Sequence, residues 1–287
     1  MSNRSEIAYR DTLTGDAFLS FMRDRLLLAR ELLSDNGSIY LHIDYKIGHY
    51  VKVLMDEIFG DANFRNDIAR IKCNPKNFNR RAYGNVKDLI LFYSKTSKPV
   101  WNNPMVPYTK DEIEKLYPKK DANGRFYTTL PLHAPGETLN GKTAQAFKGM
   151  LPPKGRHWRS SPEELEELDR KGLIEWSKTN NPRRIIYADE KEGKKIQDIW
   201  EFKDPQYPSY PTEKNLEMLK RIVKISSNKD SLVLDFFCGS GTTLIACELL
   251  GRRWIGIDKS EKAIGVARNR LAEITDLYSA PVEIIKA

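Results

Sequence analysis

Residues Asp235-Phe-Phe-Cys-Gly-Ser-Gly-Thr-Thr243, directly after the apolar run Leu232-Val-Leu234, constrain the fold more than any other part of the chain. A short apolar strand ends in a carboxylate, a glycine turn follows, and a helix opens at two threonines. Backbone without Cβ atoms lets a ligand come close, and the first turn of a helix presents free N–H groups. Gly251-Arg-Arg-Trp-Ile-Gly-Ile-Asp258 then supplies a second strand that also ends in a carboxylate. Strand, turn, helix, strand and acid make one nucleoside-binding βαβ half of an open α/β sheet, with Asp258 positioned to accept bonds from ribose hydroxyls.

The spacing narrows the ligand. Gly239-x-Gly241 lacks the third glycine of a dinucleotide fingerprint, which disfavours a nicotinamide dehydrogenase, and no lysine follows Gly241 as a P-loop requires. Thr242 and Thr243 suit either cofactor contact or capping of the helix they open.

Further motifs then fall in order. Asp235-Phe-Phe-Cys-Gly-Ser-Gly-Thr-Thr resembles motif I of the S-adenosylmethionine-dependent DNA amino-methyltransferases, written D-P-F-A-G-S-G-T-T, with Phe236 and Cys238 as departures. Tyr210-Pro-Thr-Glu-Lys214 is similar to the Y-P-T-Q-K segment of the beta-ordered members, with Glu213 for glutamine, and Gln197-Asp-Ile-Trp200 to their D-I-W. Leu32-Leu-Ser-Asp-Asn-Gly-Ser-Ile-Tyr40, Leu54-Met-Asp-Glu-Ile-Phe-Gly60 and Leu89-Ile-Leu-Phe-Tyr-Ser-Lys95 resemble the catalytic half, and Lys87-Asp88 stands where that family usually has His-Asp. The resemblance runs from about Phe18 to Leu271.

The resemblance implies a doubly wound, Rossmann-like methyltransferase sheet with an inserted target-recognition subdomain. It implies a catalytic half at 1–97, the insertion at 98–208 and a cofactor half at 209–287. It implies S-adenosylmethionine held by Asp235, Phe237, Gly239, Gly241, Thr242 and Asp258, with Tyr210, Thr212 and Lys214 closing over the methionine end. The substrate implied is double-stranded DNA with a flipped base, adenine N6 ahead of cytosine N4. Arg80, Arg81 and Lys87 are expected to meet phosphates, though a solvated loop explains them as well. Tyr93 is expected either to wall the base pocket or to be a core tyrosine.

One motif is missing. An exocyclic amine is a poor nucleophile, and the family activates it with D-P-P-Y or N-P-P-Y, whose side chain and backbone oxygens accept the amine hydrogens while the aromatic ring stacks on the base. Neither tetrapeptide occurs in this sequence, and the polar stretch from Met1 to Gly15 lacks the apolar strand that would deliver it. Asp204-Pro-Gln-Tyr207 and Asn74-Pro-Lys-Asn77 are poor substitutes: each lacks the second proline. The catalytic residues are therefore unassigned. Either the sequence is a piece of an active enzyme, or the chain is a non-catalytic DNA-binding or regulatory subunit. An absent central strand would leave apolar edges and favour aggregation or dimerisation.

Composition agrees with this class without proving it. The 287 residues, 40% hydrophobic and 30% charged, suffice for a sizeable core, and a net charge of +8 suits a polyanion partner. Cys73, Cys238 and Cys247 give neither a disulfide framework nor metal spacing, and His42, His49, His133 and His157 are scattered, so no metal site and a reducing, cytoplasmic setting are expected. No signal peptide or membrane span is read, and a homodimer or a restriction subunit is an expected partner. Locally, helices are predicted from Asp16, capped by that residue, and over Ile47–Phe59 closed by Gly60; a third is predicted after Ser161 as cap with Pro162 at its first position.

Overall fold

The computed structural model describes residues 15–75, 79, 81–179, 181–208, 210–211, 213–274 and 282–285. In chain order the N-terminal elements are α1 (Asp16–Leu32), β1 (Ser38–Ile43), α2 (Gly48–Phe59), β2 (Phe64–Ile71) and β3 (Lys87–Ser94). The central elements are β4 (Met105–Val106), α3 (Lys110–Leu116), β5 (Lys119–Lys120), β6 (Phe126–Pro131), β7 (His133–Pro135), β8 (Arg156–Trp158), α4 (Pro162–Arg170), β9 (Ile174–Trp176), β10 (Pro182–Tyr187) and β11 (Lys194–Lys195). The C-terminal elements are β12 (Ile199–Glu201), α5 (Leu216–Ser226), β13 (Leu232–Asp235), α6 (Thr242–Leu249), β14 (Arg253–Gly256) and α7 (Glu261–Ala272).

The chain divides into two compact units, one made of Met1–Pro104 with Gln197–Ala287 and the other of Met105–Ile196. These borders lie inside the 98 and 208 read from the sequence. The reason is backbone bonding: the Val100 N–H donates to the Asn36 carbonyl and the Asn102 N–H to that of Ile225, which ties 98–104 to the first unit. On the other side β12 pairs with β2.

The first unit is α/β. One sheet runs β1-β3-β2-β12, antiparallel except for the parallel β2–β12 pair. A second holds the parallel pair β13–β14, joined through α6 as a βαβ crossover. Among the described residues β1 pairs only with β3, and β13 only with β14, so each keeps one unpaired edge. The expected α/β class with its Rossmann-like half holds, with the sheet in two pieces.

On one face of the larger sheet, Met22 and Leu26 of α1 and Val51, Leu54, Met55, Ile58 and Phe59 of α2 bury against Leu41, Leu91 and Tyr93. Gly60 closes α2 at φ 87°, where a side chain is disfavoured. The residue capping α1 is Gly15 and not Asp16, which instead lies in the first turn, where a negative charge suits the helix N-terminus. Around α6, Val223, Ala246 and Cys247 form one apolar cluster, and Cys238, Leu244, Ile245 and Leu271 another.

The second unit has a sheet ordered β5-β6-β10-β9 and a hairpin of β7 with β8. Its core is Leu132, Phe147, Trp158, Leu165 and Ile174. Helix α4 starts as its sequence predicts, with Ser161 and Glu164 forming a reciprocal capping box and Pro162 in the first turn.

Candidate functional site

The glycine turn between β13 and α6 is held by its own carboxylates. Asp235 accepts the Phe237 N–H at 3.1 Å, and Asp258, just past β14, accepts the Gly239 N–H at 2.9 Å and the Ser260 N–H at 2.9 Å. Burial pushes the Asp235 carboxyl above the usual carboxylate range, and the Thr243 hydroxyl and Phe237 N–H pull it back. Burial, with the charges of Asp235 and Asp258 behind it, pushes the Cys238 thiol up to about 12, which leaves it an inert core group.

The two glycines do different work. Gly239 has φ 49°, and a Cβ there would meet nothing within 4 Å, so the turn is open above it. Gly241 is left-handed at φ 76°, and a Cβ there would lie 2.7 Å from Cβ of Ala267, so it lets α6 and α7 approach. Thr242 is buried, and its hydroxyl accepts from Arg270 at 3.1 Å. Neither threonine caps α6; its cap residue is Gly241, with no side-chain bond. Phe237 is 46% exposed beside the turn, its ring 6.0 Å from Phe21.

Sequence reasoning missed Arg270. From the last turn of α7 it donates to the Ser240 carbonyl at 2.9 Å and the Ser240 hydroxyl at 3.0 Å, and it pairs with Glu213 at 2.9 Å. It thereby ties the glycine turn to Glu213, the residue that departs from the Y-P-T-Q-K pattern. No motif or spacing marks Arg270; it becomes visible only once α7 lies across the turn.

Tyr210 is buried and Lys214 half-buried, whereas Thr212 lies outside the described residues. Burial lowers the Lys214 pKa, with Asp204 and Asp88 opposing and Arg70 and Lys72 assisting. Lys214 belongs to a charge cluster beyond the carboxyl ends of β1, β2 and β12. There Asp88 takes a hydrogen bond from Lys72 at 2.6 Å and one from His42 Nε2 at 3.1 Å, and Arg70 Nη1 lies 3.6 Å away. Arg70, fully buried, also donates to the Phe202 carbonyl at 2.7 Å and to Asp204 at 2.5 Å. Asp204, the first residue of the substitute tetrapeptide, is thus committed to an ion pair.

The four residues expected to meet DNA part company. Arg81 and Lys87 are exposed, and Arg80 lies outside the described residues, as do Lys76 and Asn77 of the other substitute tetrapeptide. Tyr93 is corrected: it has 0% exposure, its hydroxyl donates to Asp56 at 2.7 Å, and its ring lies among Phe59 and Phe64. The α1–α2 layer covers that face of β3, so Tyr93 is a core tyrosine with no surface to offer a base. Among the described residues no group of three or more His, Cys, Asp or Glu is arranged to hold a metal, and no helix is long and apolar enough to cross a membrane.

Comparison with known proteins gives a family and a set of relatives. A family model described as DNA methylase, of the N6 and N4 methyltransferases, matches residues 2–269. The chain is 47% identical over 277 residues to the Type II methyltransferase M.EcaI of Enterobacter cloacae, a match covering 94% of this chain and 61% of that protein. It is 30% identical over 270 residues to the StyLTI Mod subunit, a Type III restriction-modification enzyme of Salmonella typhimurium, covering 84% of this chain and 40% of the relative. The chain thus spans less than two thirds of the length of either. Among solved structures, that of the M1.HpyAVI–SAM complex superposes with a TM-score of 0.48 at 19% identity, over 88% of this chain and 82% of that one.

Proposed function

The chain belongs to the DNA methylase family of N6 and N4 methyltransferases, and from that premise we propose that it forms the cofactor- and DNA-binding body of a site-specific DNA methyltransferase. The methyl donor in this reading is S-adenosylmethionine and the acceptor an exocyclic amine in duplex DNA, adenine N6 ahead of cytosine N4.

The observation that carries the reading is the glycine turn. It is open above Gly239, bordered by a half-exposed Phe237, and flanked by two carboxylates at the ends of parallel strands. Those features fit a nucleoside. Phe237 offers an apolar face for adenine or the methionine chain. Each Asp258 oxygen takes one backbone N–H and keeps a lone pair for a ribose hydroxyl. Arg270 holds the turn and Glu213 together, so Glu213 is anchored beside the site. Bound there, the cofactor supplies an electrophilic methyl group for direct in-line transfer to the flipped base, with no covalent enzyme intermediate. The residues that accept the amine hydrogens are unassigned, since neither tetrapeptide occurs in the sequence. In keeping with the relatives' names, the reading places the protein in a restriction-modification system, with a restriction subunit or a second copy as partner.

Calorimetric titration of the purified chain with S-adenosylmethionine tests this. The wild type is expected to bind, and Gly239→Val, which fills the open side of the turn and strains it, to bind at least about tenfold more weakly. A folded wild-type chain that takes up no cofactor sinks the reading. The missing tetrapeptide favours a second one, a non-catalytic subunit that keeps the pocket and binds DNA. Transfer of labelled methyl groups to duplex DNA by this chain alone excludes that alternative.

A further inference from the structure

The second unit carries a cluster of cations that its own acids do not neutralise. At the end of β6 the chain runs through Pro131 and Leu132 into His133, and three arginines converge on this short stretch. Arg183 of β10 stands opposite Pro131 across the ladder and donates to the Thr129 hydroxyl at 2.9 Å and the Thr129 carbonyl at 2.8 Å. Arg159, just past β8, donates from its backbone to the Leu132 carbonyl at 2.7 Å and from Nε to that of Pro131 at 3.2 Å. Arg156 of β8 lies 3.1 Å from His133 Nδ1. A guanidinium can only donate, so Nδ1 accepts and His133 is the neutral, Nε2-protonated tautomer. Burial lowers the His133 pKa, and the charges of Arg156, Arg159 and Arg183 lower it further.

None of the three arginines makes an ion pair among the described residues, whereas Arg125, just before β6, has two. Glu175 stands opposite Arg183 across the β9–β10 ladder, but its carboxylate is already engaged by Lys119 and by the Tyr127 hydroxyl. Between Glu137 and Glu163 the sequence carries Lys142, Lys148, Lys154, Arg156 and Arg159 and no acidic residue. Arg156 and Arg159 are exposed and Arg183 half-buried. Each guanidinium is fixed to the protein by one edge, and its remaining N–H groups have no protein partner among the described residues. Three like charges held close repel one another unless an external anion compensates them, and the planar fork of arginine matches phosphate oxygens in pairs.

We propose that Arg156, Arg159 and Arg183, gathered on Pro131–His133, bind the phosphates of duplex DNA and set the second unit in register on it. This rests on the DNA-binding reading above and assigns residues to it. Phosphate contacts of this kind position a protein on the duplex without reading sequence, and each released counterion appears in the salt dependence.

The test is duplex DNA binding by the whole chain, followed by fluorescence anisotropy from about 50 to 200 mM salt. The wild type is compared with R156Q/R159Q, with the triple variant adding R183Q, and with the triple lysine variant. Each Arg→Gln change is expected to reduce the slope of log K against log salt by about one, so the triple variant loses about three; the lysine variant keeps the slope. Because Arg183 also braces Thr129, the exposed pair R156Q/R159Q keeps the test valid if the triple variant misfolds, and loss of about two from the slope supports the proposal. A folded double variant with wild-type affinity and slope overturns the arginine site alone. A wild-type chain that binds no duplex at any salt overturns both this site and the reading it rests on.

Discussion

Two groups of cations, drawn from the same residue types, have opposite fates in this molecule. In the first unit Arg70 and Lys72 are turned inward onto Asp88 and Asp204, and every one of these side chains has its charge answered by another. In the second unit Arg156, Arg159 and Arg183 are held by neutral carbonyls, a hydroxyl and an imidazole, and no carboxylate pairs with them among the described residues. An answered, buried charge is a commitment to one conformation: removing either partner strands the other away from water. An unanswered charge near the surface contributes little to folding and is free to meet a partner. The positive balance of +8 is therefore a poor guide by itself. What identifies a binding surface is which cations the fold leaves without anions.

The comparison breaks most visibly at Arg70. Arg70→Met leaves Asp88 and Asp204 short of a cation and the Phe202 carbonyl short of a donor, so it is expected to cost about 3–5 kcal/mol in chemical denaturation. The double variant R156Q/R159Q is expected to unfold at the wild-type midpoint. Equal losses in the two proteins would erase the distinction between closed and open clusters.

Acid sharpens it next. Burial alone would raise the Asp88 pKa, but hydrogen bonds from His42 and Lys72 win and bring it down to about 2. A carboxylate depressed in the folded state stabilises above its unfolded value of about 3.9, and that contribution fades as pH falls toward the folded value. The gap corresponds to about 2–3 kcal/mol. His42 acts in the same direction: burial lowers its pKa, so the folded protein resists its protonation and loses stability as pH drops below about 6.5. Unfolding free energies of wild type and Asp88→Asn are expected to differ by this amount near pH 7 and to converge between about pH 5 and 2. A constant offset across that range would remove Asp88 from the account.

What was legible in the sequence was local. The glycine turn, the closure of α2 at Gly60 and the capping box of Ser161 and Glu164 each depend on residues a few positions apart, and each formed as its pattern dictates. Tyr93 was not settled, because β3 is apolar on both faces and a strand without alternation does not say which side its helices cover. Arg270, and the cluster of His42, Arg70, Asp88, Asp204 and Lys214, were illegible for a different reason. Their members come from strand ends and helices far apart in sequence, and only the sheet order β1-β3-β2-β12 brings the cluster together. The arginines at Pro131–His133 likewise come from β8, the residue after it and β10, and a run free of acids marks only Arg156 and Arg159 in the sequence.

The smallest expected effect comes from removing a paired arginine charge of the second unit, at the end of β6 opposite the open trio. Arg125, just before β6, donates to both Asp189 oxygens at 2.8 Å and stacks 3.7 Å over the Tyr187 ring. Its charge is answered by Asp189 and Glu190, so the pair has little positive field to offer a phosphate. Arg125→Gln is therefore expected to leave the salt slope of DNA binding at the wild-type value and to shift the unfolding midpoint only slightly, since the group is at the surface. If charge count alone governed the interaction, this variant would lower the slope as much as Arg156→Gln does. A slope that responds to Arg156 and not to Arg125 separates the open arginine site from a paired arginine at the other end of β6, although each substitution removes one guanidinium from the same unit.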